Sequence, residues 1–447
     1  MSTIHRHPIV ARNRVGWALR FLGLIVVGMG LGGPASSRCW AADFVIHISV
    51  DGLRPDYMQT EINAGNGPNF KRFQDVGAWT NNARTDYTHT ITLPNHTTMI
   101  TGRPVLQPAG MPNTVHHGYT SNSDPAPTTT LHNSGNLNVP YKASVFDVAH
   151  DAGLSTALYA SKSKFVLFDQ SYNSTNGAEH PNGRDKIDTY FTYSDSAPSY
   201  SLTMQNQFLA NSATNPARYT FVHYADPDSA GHAFGWGSAN YQNAVATVDG
   251  YLGGIFNLVE NSPTLSGRTA IVLTADHGGS GTDHSNATLA QDYTIPFFVW
   301  GAGVGHGDIY AFNNDTRSNP GTSRPTYDVS AQPIRNGDSG NLALKLLGLG
   351  AIPGSLINAA QDLRVATPGD YNGDNLVDAA DYVVWRKTGI NGPQGYNDWR
   401  ANFGMTVGSG AVLPSADPLS AAVPEPATLV LLTFAAAGWC LCRRCAA

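Results

Sequence analysis

Phe44-Val45-Ile46-His47-Ile48-Ser49-Val50-Asp51-Gly52, residues 44–52, is a short run of strand-forming residues that stops on an acid and a glycine. Similar apolar runs recur at 155–159, 219–223, 270–274 and 295–300, and the segments 144–152 and 241–260 between them carry helix-like spacing. Strands alternating with helices predict an α/β fold, a mostly parallel central sheet flanked by helices on both faces. Ligand sites in such sheets gather beyond the carboxyl ends of the strands. Three polar clusters stand at those places: Asp51-Gly52, the stretch 224–232, and Asp276-His277-Gly278. The stretch 103–139 is rich in Pro, Asn, Thr and Gly and reads as a long loop or small insertion near the site. Past 352–355 the apolar pattern fades, which ends the main domain, 43–365, near Val365.

Asp51, Asp228, His232, Asp276, His277 and His284 are oxygen and nitrogen ligands spread over three strand ends. Two adjacent divalent cations need such a set if each takes about three protein ligands and keeps room for substrate. Phosphoryl chemistry gives a reason for two. One cation lowers the pKa of a hydroxyl nucleophile while the other takes a phosphate oxygen and offsets developing charge. The hydroxyl candidate is Thr92, in Thr92-Leu93-Pro94-Asn95-His96-Thr97-Thr98-Met99-Ile100-Thr101-Gly102. A helix is expected over 93–101 with Pro94 in its first turn. That puts Thr92 at or near the N-cap, where N–H groups and the helix dipole favour an anion. Each residue alone has an ordinary reading as a cap, a turn acid or a loop histidine; together these readings would require independent coincidences. His47, His89, His96 and His223 read as packing or supporting histidines. Lys162 and Lys164 read as a solvated pair ahead of a phosphate-binding one. Phe165, Tyr224, Phe234 and Trp236 read as packing residues ahead of stacking surfaces for a base or aryl group.

With these residues in hand, the chain resembles the type I phosphodiesterase/nucleotide pyrophosphatase family of the alkaline phosphatase superfamily, over roughly residues 44–350. Thr92-Leu93-Pro94-Asn95-His96-Thr97 is similar to the family's nucleophile motif, Asp228-Ser229-Ala230-Gly231-His232 to its Asp-Ser-x-Gly-His element, and Asp276-His277-Gly278 to its Asp-His-Gly element, in register with Asp51-Gly52. The resemblance implies an alkaline phosphatase-like fold and two divalent metal ions, with zinc the expected identity. It implies that Asp51, Asp276 and His277 hold the metal that activates Thr92, itself a ligand, and that Asp228 and His232 hold the second with a later histidine. His284 takes that place by similarity to shorter superfamily members such as phosphopentomutases, with His306 as the rival. Asn122 matches an asparagine that donates to a phosphate oxygen. The implied chemistry is in-line attack by Thr92 on the phosphorus of a small phosphate ester or nucleotide, through a covalent phospho- or nucleotidyl-threonine that water cleaves. A phosphomonoesterase, phosphonate hydrolysis and phosphomutase chemistry stay open within the superfamily, and a non-catalytic cell-surface binding protein outside it. Sulfatases need a cysteine or serine converted to an aldehyde, which Thr92 does not supply.

The 447 residues allow one large domain plus appendages, and the formal net charge of −6 offers no basic field for a nucleic-acid backbone, so no polymeric nucleic acid is expected as partner. Cys39, Cys440, Cys442 and Cys445 all lie near the ends, which leaves the interior without a disulfide framework or thiolate site. All of the 15 histidines except His5 and His7 fall between His47 and His306, so imidazole and carboxylate are the available ligands.

Arg6, Arg12, Arg14 and Arg20 precede the apolar run 21–31, with small residues up to Ala41 and Ala42, the layout of a cleaved secretory signal peptide over 1–42. An uncleaved anchor is the alternative. Val423-Pro424-Glu425-Pro426, the apolar run 427–441 and Arg443-Arg444 resemble a PEP-CTERM sorting tail, 423–447, after a spacer, 405–422. The tail implies export to the cell surface or medium and transient membrane association.

Between domain and spacer, 366–404 carries Asp370, Asn372, Asp374, Asp378 and Asp381 at loop positions 1, 3, 5, 9 and 12, with Leu376 offering a backbone carbonyl. That is the EF-hand ligand pattern with Asp for the final Glu, so Ca2+ is expected. It resembles one loop and helix of a type I dockerin. Around 392–399 the carboxylate pattern of a second loop is missing, although 398–403 could still form the paired helix, which makes calcium-dependent folding better supported than a cohesin-like or cell-surface partner.

Overall fold

The computed structural model describes residues 42–192, 200–372, 374, 376–389 and 392–405. The expected leader up to residue 41, the spacer from 406 and the sorting tail lie outside the described residues, as do Gly373 and Asn375 of the expected calcium loop. Among the described residues, no helix is long and apolar enough to cross a membrane.

Their strands are β1 (Phe44–Val50), β2 (Ala78–Arg84), β3 (Thr156–Ala160), β4 (Thr189–Thr192), β5 (Tyr219–Tyr224), β6 (Thr269–Thr274), β7 (Thr294–Gly301) and β8 (Gly307–Asp308), joined in one sheet in the order β4-β3-β5-β1-β6-β7-β2-β8. β1 runs parallel to β5 and β6, and β3 parallel to β4 and β5, while β7 runs antiparallel to β6 and β2. The sheet is thus mostly parallel, as the alternation of strands and helices predicts.

Every residue of β1 is buried. Because successive side chains point to opposite faces, both faces must be covered. Fully buried Val45, Ile48 and Val50 each stabilise the fold by about 1.5–3 kcal/mol. The helices Pro55–Ala64, Pro68–Val76, Tyr200–Thr214 and Ala239–Asn261 pack in one group, and Thr92–Thr101, Val145–Asp151 and Asp338–Leu346 in another, with Asp338–Leu346 against β1 and β6. Local capping sets two of these starts. Ser144 and Asp147 form a reciprocal capping box at Val145–Asp151, and the Ser238 side chain accepts from Tyr241 N at the head of Ala239–Asn261.

β2, β4 and β8 are additions to the strands expected from sequence. Ala78-Trp79-Thr80-Asn81-Asn82-Ala83-Arg84 is polar, and its register against β7 shifts between Thr80 and Ala83, so no clean apolar pattern marks it. The stretch 103–139 is largely irregular, with one short helix at Leu131–Ser134. Leu363 and Val365 belong to the main core, whereas Tyr371, Val377 and Trp399 form a second apolar cluster with Tyr382, Val384, Trp385 and Tyr396, built on the helices Ala379–Thr388 and Gly392–Asn402.

Candidate active site

Three parallel strands deliver the acids. β1 ends just before Asp51; β5 leads into the helix Asp226–Phe234, whose one-turn spacing puts Asp228 and His232 on one face; β6 ends just before Asp276 and His277. Asp228 N donates to Asp51 O at 3.1 Å and Gly52 N to Asp276 Oδ1 at 3.1 Å, so the three strand ends are stitched together. Gly52 makes this approach possible. It sits at φ +69°, and a Cβ there would lie 3.0 Å from Asp228 Cα and Cβ.

The six side chains converge as two trios, Asp51 with Asp276 and His277, and Asp228 with His232 and His284, the ligand atoms of each within 4.8 Å of one another. His284 therefore stands in the cluster, whereas His306 is exposed and bonds Gln74 O at 3.2 Å.

Each histidine of the trios is anchored through Nδ1 to a backbone carbonyl: His232 to Thr282 O at 2.9 Å, His277 to Gly278 O at 2.8 Å and His284 to Thr90 O at 2.6 Å. A carbonyl only accepts, so Nδ1 carries the hydrogen and each ring turns its Nε2 inward, the atom with which a neutral imidazole ligates. The acids are divided the same way. Asp51 Oδ2 accepts from His223 Nε2 at 3.0 Å and Lys162 Nζ at 2.7 Å, Asp228 Oδ2 from Lys162 Nζ at 2.6 Å, and Asp276 Oδ1 from Gly52 N and His277 N. Their remaining oxygens, Asp51 Oδ1, Asp228 Oδ1 and Asp276 Oδ2, are buried without a hydrogen-bond partner, as is His277 Nε2. Uncompensated buried acceptors are costly, and converging hard oxygens and imidazole nitrogens are the donor set of a divalent cation. The residues fit two such ions.

Charge follows the same division. Burial opposes ionisation of Asp51, but the Lys162 ammonium, the hydrogen bond from His223 and the His277 ring 3.3 Å from Oδ1 hold its carboxyl well below the usual range. Burial, then His277, pushes the His284 pKa down to about 4, which leaves a neutral imidazole able to ligate.

Thr92 is buried and opens the helix Thr92–Thr101, one residue earlier than expected, with Ile91 at the N-cap. The helix is tied to the clusters through His96, whose Nδ1 bonds Thr92 O at 2.8 Å and lies 3.6 Å from Asp276 Oδ2, and whose Nε2 bonds Ser49 Oγ at 2.8 Å. Thr90, just before the helix, clamps the His284 loop, with Thr90 Oγ1 donating to His284 O at 2.5 Å. Asn122 comes to the same helix end, where its Oδ1 accepts from Leu93 N at 3.0 Å, which leaves its amide nitrogen as the donor. The helix end offers an anion less than expected, because Leu93 N–H is bonded to Asn122, Asn95 N–H to Ile91 O, and Pro94 has none.

The other histidines act as supports: His223 on Asp51, His96 on the helix, His47 on Tyr219 at 3.0 Å and His89 on Thr88 at 2.8 Å. Lys162 corrects its sequence reading. It is an ion-pair partner of Asp51 and Asp228, and although burial opposes its charge, Asp228 and Asp51 raise its pKa above the ordinary lysine range. Lys164 Nζ donates to Asn122 O at 2.8 Å. Phe165 and Tyr224 are core residues and Phe234 is 61% exposed. Trp236 is buried between Gly231 and Gly279, whose bare Cα atoms admit the indole, and its Nε1 donates to Gly52 O at 2.9 Å. Its ring centroid is 5.4 Å from that of His232 and 5.8 Å from that of His284.

In the carboxyl-terminal loop, Asp381 Oδ1 accepts from Tyr371 N and Asn372 N and its Oδ2 from Asp378 N. The acid expected at the last calcium position thus also braces the loop backbone and caps the helix Ala379–Thr388. Asp378 caps the same helix through Ala380 N, and Asp374 Oδ1 accepts from Leu376 N.

A family model described as type I phosphodiesterase / nucleotide pyrophosphatase matches residues 45–299, and one for the PEP-CTERM protein-sorting motif matches residues 422–444. Over 267 residues the chain is 29% identical to ectonucleotide pyrophosphatase/phosphodiesterase family member 3 of Mus musculus and to that of Rattus norvegicus, covering 57% of this chain and 27% of each relative. The chain thus spans about a quarter of the length of these curated relatives. The crystal structure of wild-type alkaline phosphatase PafA is similar in fold, with a TM-score of 0.50 at 14% identity over 72% of this chain and 99% of that one.

Proposed function

Because the chain belongs to the type I phosphodiesterase/nucleotide pyrophosphatase family, we propose that it is a phosphoester hydrolase with Thr92 as nucleophile and two divalent cations, zinc by preference, at its two trios. One observation carries this reading: the buried, partnerless ligand atoms of Asp51, Asp228, Asp276 and His277 converge beside the helix that Thr92 begins. Asp51, Asp276 and His277 would hold one cation with Thr92, and Asp228, His232 and His284 the other. Bound there, the cations supply Lewis acidity, which makes the hydroxyl acidic and neutralises phosphoryl oxygens.

Thr92 Oγ1 then attacks phosphorus in line, its proton passes to solvent, the bond to the ester oxygen breaks on the opposite side, and the leaving group takes a proton from solvent and departs. Asn122 donates from its amide nitrogen to a phosphoryl oxygen and holds the group for attack. Water then adds to the phospho- or nucleotidyl-threonine, the Thr92 oxygen leaves and regains a proton, and the phosphate product departs. The substrate class is a small phosphate ester or nucleotide.

A phosphomonoesterase is the second reading, favoured by Lys162 and Lys164. A monoester brings one more negative charge than a diester, and these residues bring two ammonium groups to the acids and to Asn122. Chromogenic mono- and diesters, tested on the protein and on Thr92→Ala, decide both points. Thr92→Ala is expected to abolish turnover of every ester that the native protein cleaves; unchanged turnover would remove Thr92 from the mechanism.

Around this domain, 43–365, we read 1–42 as a leader and 423–447 as the sorting tail, with export to the cell surface or medium. The segment 366–404 is read as a Ca2+-binding module through Asp370, Asn372, Asp374, Leu376, Asp378 and Asp381, joined to the tail by the spacer 405–422.

A further inference from the structure

The two trios share one partner. Lys162 Nζ lies 2.7 Å from Asp51 Oδ2 and 2.6 Å from Asp228 Oδ2, so a single ammonium joins one acid of each. In both acids it occupies Oδ2, and in both the partnerless atom is Oδ1. The turn that carries it is fastened on the next two residues: Ser163 Oγ donates to Asp124 Oδ2 at 2.8 Å and Lys164 Nζ to Asn122 O at 2.8 Å. The Lys162 side chain is only 18% exposed.

From this geometry we infer that Lys162 is a fixed third cation of the centre, which pre-sets Asp51 and Asp228 and weakens their hold on divalent ions. The inference rests on the two-cation reading above. Two effects oppose each other. As a donor, Lys162 occupies each Oδ2 and turns Oδ1 toward the ion, which favours binding. As a charge, it stands about one carboxylate's width from both sites, and repulsion between charges of one and two is double the attraction of a simple ion pair at equal distance. Burial removes the solvent screening that would blunt it. The repulsive effect wins. The centre therefore grips its cations less tightly than its acids and imidazoles alone would, and keeps surplus positive charge for an anionic ligand.

Calorimetric titration of the chelator-stripped protein with Zn2+, and with Co2+ read by visible absorption, tests this apart from turnover. Lys162→Met is expected to tighten at least one site by about tenfold or more. It should also lower the melting temperature of the stripped protein, because the acids lose their counter-charge. Lys162→Arg keeps the charge and should stay within about threefold of the native affinity. Should the Met variant not fold, Lys162→Gln serves in its place. Affinity unchanged or weaker on loss of the charge overturns the inference alone. A native protein that takes up neither ion overturns the two-cation reading and this inference with it.

Discussion

The two trios are built from the same side-chain types and differ in access. Asp51, Asp276 and His277 are wholly buried, whereas the companion trio opens through His232, whose side chain is 47% exposed. The buried trio also has two acids to the other's one, so it combines stronger attraction for a cation with slower exchange. The open trio has more imidazole and a face toward water. Under the proposed mechanism the closed side belongs with the nucleophile and the open side with the incoming substrate.

The largest expected effect tests that asymmetry. Asp276→Asn should cut kcat/KM by about 10³-fold or more and remove one bound cation, because Asp276 Oδ2 faces the site while Oδ1 holds Gly52 and His277. His232→Asn should cost about 10–100-fold. Equal losses, read by kinetics with elemental analysis, would break the comparison. A smaller effect sharpens it. His223→Gln removes the imidazole that donates to Asp51, and metal titration should show the buried trio weakened about tenfold with the open one unaltered. Weakening of both trios alike would mean that the two act as one unit. The smallest effect lies in the carboxyl-terminal cluster. Trp399→Ala should loosen that cluster by about 3–5 kcal/mol while turnover changes less than about twofold, since Trp399 packs with Tyr371 and Val377. A large fall in turnover would mean that the appendage completes the catalytic centre.

Much of this centre is legible in the sequence because its acids sit where strands end. A run such as 44–50 announces the strand, and the acid after it must stand at the sheet's carboxyl edge whatever the tertiary detail. His284 is harder, since a loop carries it and hydrogen bonds to Thr90, far off in sequence, bring it into the trio. Lys162 illustrates what local pattern omits. Nothing in Ser161-Lys162-Ser163-Lys164 distinguishes a solvated lysine from one paired to acids 111 and 66 residues away. β2 was hidden for another reason, because its asparagines and bulged register obscure the alternation by which strands are recognised. The carboxyl-terminal loop shows the reverse case. Its ligand-like spacing is plain to read, yet its acids also serve backbone N–H groups, which spacing alone does not reveal.

Trp236 gives the molecule an optical handle. Its indole is wedged between two glycines and faces both histidines of the open trio, so a paramagnetic ion arriving there would quench its emission by proximity. Seven other tryptophans contribute background, but the difference spectrum against Trp236→Phe isolates this ring among the 8. Occupancy of the exposed half of the centre is thereby written in the fluorescence of the native chain, with no dye attached.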